Sequence, residues 1–146
     1  MNAKGGTAAG GVVEEIKRLV DEKLREIDEK LGDPLLYLDK NSFDKVLSKY
    51  RVVVVEFATP WCNPCKAYTP VFRRVARKLA APEKGVVFAY LDTDKAPEIA
   101  DRYSVDNIPT TIIFVNGHIA DVILGATQES KLYERVQNIV REVVKS

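Results

Sequence analysis

Glu56-Phe57-Ala58-Thr59-Pro60-Trp61-Cys62-Asn63-Pro64-Cys65-Lys66 is the stretch from which the rest of the chain can be read. The apolar run 52–55 leads into it, and Val71, Phe72, Val75 and Leu79 follow at helical spacing, so it lies where a strand hands over to a helix. Both cysteines of the chain, Cys62 and Cys65, fall inside it. Residues at i and i+3 share one face of a helix, and Cα atoms one turn apart fall within the roughly 4.4–6.8 Å that a disulfide spans. The pair can therefore close and open without unfolding anything. A cysteine at the start of a helix also meets unpaired N–H groups and the positive end of the dipole. That setting stabilises the thiolate, the form that attacks disulfides. Cys65, one turn further in, is better placed to resolve a mixed disulfide than to start one. Pro64 is tolerated between them because first-turn N–H groups have no helical partner to lose.

A Cys-x-x-Cys pair can also be half of a zinc or iron–sulfur site. Such sites usually take four ligands, and this chain offers two cysteines and one distant histidine, His118. Cysteine arithmetic favours redox chemistry over a metal. His118 stands beside a turn signal and reads as an exposed residue.

The 146 residues bound the chain to one domain plus, at most, an appendage. A hydrophobic content of 46% suffices for a core without disulfide staples, and a net charge of +1 gives no reason to expect nucleic acid. No run approaches the length of a membrane span, and residues 1–6 carry no apolar signal core. With no cysteine outside the pair, a reducing cytoplasm is the expected location.

Residues 1–11 are small and Gly-rich and read as disordered. Over 12–33, Val13, Ile16, Val20, Leu24, Ile27 and Leu31 recur at spacings of three and four, the mark of an amphipathic helix. Gly32 and Pro34 stop it. This helix could pack on its own domain, form a dimer or dock a partner, or lie on a membrane; both charge signs on its polar face argue against the last.

From residue 34 to 146 the pattern is that of one α/β domain. Residues 35–38 read as a short strand, and Asn41 or Ser42 caps a helix that turns Phe43, Val46 and Leu47 inward. The valine-rich strand 51–58 has the pattern of a sheet covered on both faces. Glu56 is anomalous within it: alternation places its carboxylate with Val52, Val54 and Ala58, where burial would keep it protonated, unless the strand end is solvated. A helix over 62–80 contains Pro70, which should kink it, and its Lys66, Arg73, Arg74, Arg77 and Lys78 read as a solvated basic face. A strand at 86–91, a short helix at 95–103 and a strand at 111–115 follow. Asn116-Gly117 signals a type I′ hairpin returning as 119–124. A closing helix at 127–144 turns Leu132, Val136, Ile139, Val140 and Val143 inward.

Trp61-Cys62-Asn63-Pro64-Cys65-Lys66 resembles the thioredoxin active site, commonly W-C-G-P-C-K. The resemblance extends over 35–146 through the element order β-α-β-α-β-α-β-β-α, the carboxylate at Glu56, Pro70, Ile108-Pro109-Thr110, Asn116-Gly117 and Gly125-Ala126. It implies a thioredoxin fold, a central mixed five-stranded sheet flanked by helices, with the N-terminal amphipathic helix as an addition. It further implies a thiol–disulfide oxidoreductase in which Cys62 attacks, Cys65 resolves and Glu56, at the place of a buried Asp, moves the proton. Trp61, Ile108, Pro109 and Gly125 would meet the substrate, with Pro109 in a cis peptide and Ile108 offering backbone hydrogen bonds. The reversible Cys62–Cys65 disulfide would be the redox group, with no other cofactor and no metal. Expected partners are disulfide-containing proteins and a thioredoxin-reductase-type electron donor. Neither nucleic acid nor membrane is expected, and a dimer through the N-terminal helix is one use of that helix.

The chain departs from the family pattern in places. Asn63 replaces the usual Gly, and with Pro64 and Lys66 it would tune the couple, expected to stay moderately reducing. Ala58, Thr59 and Pro60 replace common family residues, and Tyr90 stands where a Lys often approaches the carboxylate. A disulfide isomerase or oxidant, or a redox-dependent binding scaffold, is the alternative reading.

Overall fold

β2 (Val52–Ala58) is buried along its whole length, and the fold is assembled on its two faces and two edges. The computed structural model describes the backbone of residues 2–144, and the side chains of 11–144 except 28 and 29. In order, α1 spans Asn2–Leu31, β1 Leu36–Leu38, α2 Phe43–Lys49, then β2, α3 Asn63–Leu79 and β3 Val86–Asp92. α4 (Pro97–Arg102), β4 (Thr110–Val115), β5 (His118–Leu124) and α5 (Glu129–Val144) complete the chain.

The sheet order is β1-β3-β2-β4-β5. β3 runs parallel to both β1 and β2, whereas β4 is antiparallel to β2 and to β5. This is the mixed five-stranded sheet expected. Alternation along β2 sends Val52 and Val54 to one face, where they pack with Tyr68, Phe72 and Val75 of α3 and Leu132 and Val136 of α5. Val53, Val55 and Phe57 face the other side, against Phe43 and Leu47 of α2 and Ile99 of α4. Each fully buried side chain of this size contributes about 1.5–3 kcal/mol by leaving water, so two covered faces make β2 the anchor of the domain.

Local signals explain the connections. Asn116 and Gly117 have φ of 51° and 82°, the doubly left-handed turn that matches strand twist. Ser42 occupies the N-cap of α2 but makes no capping bond with its side chain. Asp39 supplies the bonds instead: its Oδ1 accepts from the backbone N–H groups of Asn41 and Ser42 at 2.8 Å, while Ser42 Oγ accepts from Asp39 N–H at 2.9 Å. Pro70 lies inside α3.

The expected basic face of α3 is not simply solvated. Arg74 Nε donates to Glu129 Oε1 at 2.8 Å and Lys78 Nζ to Glu129 Oε2 at 2.9 Å, so these cations tie α3 to the start of α5.

The chain divides into two compact units, Met1–Asp33 and Pro34–Ser146. In the first, α1 begins at Asn2 and not near residue 12, so the disordered segment expected over 1–11 is helical backbone from Asn2; Met1 lies outside the described residues. Once a nucleus exists, each added residue gains a hydrogen bond, and Ala3, Ala8 and Ala9 offset part of the roughly 1 kcal/mol that each nearby glycine costs. Gly32, with φ of 80°, ends the helix. Val13, Ile16, Val20, Ile27 and Leu31 are exposed on α1. Among the described residues no helix is long and apolar enough to cross a membrane.

Candidate active site

The site forms where β2 ends and α3 begins. Cys62 is the N-cap of α3, with extended backbone, and its Sγ accepts from the Cys65 backbone N–H at 3.3 Å. The first-turn donor that a serine or aspartate oxygen would ordinarily satisfy is here aimed at sulfur. Cys62 and Cys65 form a disulfide, their Cα atoms 5.2 Å apart. Cys62 is 6% exposed and Cys65 1%, so the leading cysteine is the less deeply buried of the two.

The surroundings separate into a rim and a floor. On the rim, Trp61 is 65% exposed, its Nε1 donating to Asp94 Oδ2 at 2.6 Å. The Ile108–Pro109 peptide is cis, and the Ile108 carbonyl oxygen stands 4.0 Å from Cys62 Sγ. Gly125, with φ of 76°, donates its N–H to the Pro109 carbonyl at 2.9 Å, which ties the end of β5 to this loop. The expected site residues Trp61, Cys62, Cys65, Ile108, Pro109 and Gly125 thus share one corner of the molecule. Asn63, Pro64 and Lys66 are exposed on the first turn of α3, and His118 is exposed at the β4–β5 turn, away from this corner.

The floor holds Glu56, which is fully buried, so the solvated alternative does not apply. Its register partners are Tyr90 on β3 and Thr111 on β4. Oε2 accepts from Thr69 Oγ1 at 2.8 Å, and Oε1 is buried with no hydrogen-bond partner among the described residues. Burial pushes the carboxyl up from its ordinary 4.5 to about 7, against the Thr69 hydrogen bond and the Arg73 charge, which both favour the anion. The group is therefore poised near neutrality, where an acid–base group works best. The Tyr90 hydroxyl is pushed up to about 12 by burial and by the neighbouring Glu56. Tyr68, raised by burial, shares a 2.8 Å hydrogen bond with Thr111 Oγ1. A cleft of about 370 Å³ opens beside Cys65, lined among others by Tyr37, Thr59, Thr69, Arg73 and Tyr90.

Thr69 and Asp94 did not emerge from the sequence pattern. Thr69 had a usable signal, since it lies four residues after Cys65 on the same helix and so faces the same way; Asp94 had none. Among the described residues there is no cluster of His, Cys, Asp and Glu that could hold a metal.

Comparison with known proteins agrees with this geometry. The thioredoxin family model matches residues 34–138. Thioredoxin from Mycoplasmoides gallisepticum is 38% identical over 96 residues, covering 66% of this chain and 92% of that protein. Thioredoxin M4, chloroplastic, from Arabidopsis thaliana is 36% identical over 98 residues, 67% of this chain and 49% of that longer protein. The solved structure of a mutant thioredoxin from Halobacterium salinarum NRC-1 superposes with a TM-score of 0.65 at 26% identity, over 73% of this chain and 93% of that one. With its family match over 34–138 and a Cys62–Cys65 disulfide at the head of α3, the chain belongs to the thioredoxin family and is a thiol–disulfide oxidoreductase.

Proposed function

We propose that the chain reduces protein disulfides with Cys62 as nucleophile, Cys65 as resolving thiol and Glu56 as acceptor of the Cys65 proton. The Cys62 thiolate attacks one sulfur of the substrate disulfide, forming a mixed disulfide and releasing the other sulfur as a thiolate. Cys65 passes its proton to Glu56 and attacks Cys62 Sγ. The Cys62–Cys65 disulfide forms and the second substrate thiolate leaves, two electrons having passed to the substrate. A separate reductase of the thioredoxin-reductase type returns two electrons, so the disulfide itself is the redox group. The observation that carries this reading is the aim of the Cys65 N–H at Cys62 Sγ, a charge-assisted bond once the sulfur is a thiolate. Trp61, Ile108, Pro109 and Gly125 form the surface on which the substrate chain lies, and Asn63, Pro64 and Lys66 tune the couple. A reducing compartment such as the cytoplasm suits a pair that must be reopened each cycle.

Reduction of insulin with dithiothreitol as electron source tests the reading, followed by redox titration of the Cys62–Cys65 pair. Turnover with a potential at or below that of glutathione supports it. A more oxidising couple would make the protein an isomerase or oxidant, and binding without turnover would make it a scaffold.

We further propose that α1 pairs two copies. Val13, Val20 and Ile27 alternate with Lys17, Leu24 and Leu31 as the two seam positions of a heptad. Glu14 and Asp21 flank one side of that seam, Lys23 and Lys30 the other. In a parallel pair the basic flank of one copy faces the acidic flank of the other, whereas an antiparallel pair would set like charges together. Sedimentation equilibrium of the full chain and of Leu24→Asp should show a dimer only for the former; a monomer at every concentration would reject the pairing.

A further inference from the structure

The Thr69 hydroxyl bridges the Glu56 carboxyl and the backbone of Cys65. Its Oγ1 lies 2.8 Å from Glu56 Oε2 and 2.9 Å from the Cys65 carbonyl oxygen. A threonine hydroxyl carries one hydrogen and two lone pairs, whereas a carboxylate and a carbonyl only accept. The hydroxyl therefore cannot donate to both oxygens at once. While Glu56 is ionised, the hydrogen belongs on Oε2, the charged acceptor and the stronger bond. When Glu56 is protonated, its own O–H can donate to Thr69 Oγ1, and the threonine hydrogen turns to the Cys65 carbonyl. Both protonation states are thus served at the same heavy-atom positions.

We propose that Thr69 is a positioning residue for disulfide exchange, holding the Glu56 carboxyl in one place beside Cys65 by reversing its hydrogen bond as Glu56 gains and loses the Cys65 proton. The inference rests on the reading of Glu56 as proton acceptor and extends it to a residue outside the Cys-x-x-Cys motif. Atoms balance at each stage. The Cys65 thiol loses a proton that Glu56 takes up, and the Thr69 hydroxyl keeps its own hydrogen and only turns. The Cys65 thiolate then attacks Cys62 Sγ, breaking its bond to the substrate sulfur, which leaves as a thiolate.

The other groups facing the carboxyl fit this role. Tyr68 and Tyr90, from α3 and β3, are held as neutral phenols by burial, and Arg73 from α3 acts on Glu56 as a cation. β4 contributes Thr111, occupied with Tyr68. Around neutral pH that leaves Glu56 and Cys65 to trade the proton. Thr69 is half-buried and borders the same cleft as Cys65.

The test compares Thr69→Val, Thr69→Ala and Thr69→Ser with Glu56→Gln in the full chain. It reads the pH profile of disulfide reduction and the Glu56 titration by carbon NMR. Val and Ala remove the donor to the carboxylate, so the Glu56 titration should rise by about one pH unit or more and carry the rate profile with it. Ser, which keeps the hydroxyl, should restore both. A packing role alone would be kept by Val and would leave the titration where it was. In a Glu56→Gln background, Thr69→Val should shift the profile no further. Val and Ala profiles that superpose on the parent, while Glu56→Gln departs from it, would overturn Thr69 and leave Glu56 standing. A Glu56→Gln profile identical to the parent would remove the proton acceptor itself, and Thr69 with it.

Discussion

Trp61 and Asp94 are joined side chain to side chain, with the indole Nε1 donating to the carboxylate at 2.6 Å. The ring is 65% exposed, so little packing restrains it, and this bond sets its orientation beside Cys62. Asp94→Ala should free the indole and raise KM for a protein disulfide about threefold, matching the roughly 0.5–1 kcal/mol of a solvent-exposed hydrogen bond. Small disulfides, too short to reach the indole, should react at the parental rate. Equal losses on both substrates would show that Asp94 acts on the cysteines and not on the substrate surface.

The two cysteines should separate cleanly by mutation. With Cys62 as the proposed nucleophile, Cys62→Ser should abolish reduction, whereas Cys65→Ser should accumulate mixed disulfides that survive non-reducing electrophoresis and vanish with dithiothreitol. Alkylation rate against pH in each single-cysteine variant checks the assignment. Cys62, at the helix start, should react at the lower pH; a faster, more acidic Cys65 would reverse the two roles.

Glu56 makes stability depend on pH in a definite direction. Its folded titration point, about 7, lies above the ordinary 4.5, so between those values the folded protein holds a proton that the unfolded chain has lost. Stability therefore falls as pH rises through this window, by on the order of 3 kcal/mol for a shift of about 2.5 units. Glu56→Gln, with no charge to bury, should flatten that slope and match or exceed the parent at pH 8. Urea melts at pH 5 and pH 8 give the comparison, and an unchanged slope in the variant would place the titration elsewhere.

Glu129 has the opposite sign. Hydrogen bonds from Arg74 and Lys78 hold its carboxyl below the usual range, so its contribution is present above the unfolded titration point and is lost as pH falls through the lower, folded one. Arg74 and Glu129 side chains are each 29% exposed, which limits the pair to about 1 kcal/mol. Glu129→Gln should cost about that much at pH 7 and progressively less in acid. A loss that persists unchanged at low pH would mean that packing, and not charge, joins α3 to α5.

Chemistry carried by neighbours in sequence was legible, and chemistry assembled across the fold was not. Continuous valines announced β2, the cysteine spacing placed the helix start, and the alternation around Glu56 already put a carboxyl among core residues. Asp39 replaced Ser42 as the source of capping bonds because several polar residues precede α2 and only backbone geometry chooses among them. Arg74 finds Glu129 across 55 positions and Trp61 finds Asp94 across 33; no periodicity reports such pairs. Thr69 lies between these cases, since its helix face was predictable but its meeting with Glu56 required the packing of α3 on β2.

The burial of β2 has a consequence for how the protein comes apart. Every one of its residues is covered and it is paired on both edges, so its central amides can meet solvent only when the whole domain opens. The first turn of α3, with Asn63, Pro64 and Lys66 in solvent, is stapled by the Cys62–Cys65 disulfide and can fray alone once that bond is reduced. In hydrogen–deuterium exchange of the reduced protein, the amides of Val54 and Val55 should report the full free energy of unfolding, while that turn exchanges by small openings. Reduction of the disulfide thus loosens the segment that carries the sulfurs, while its root stays bolted to the last part of the molecule to melt.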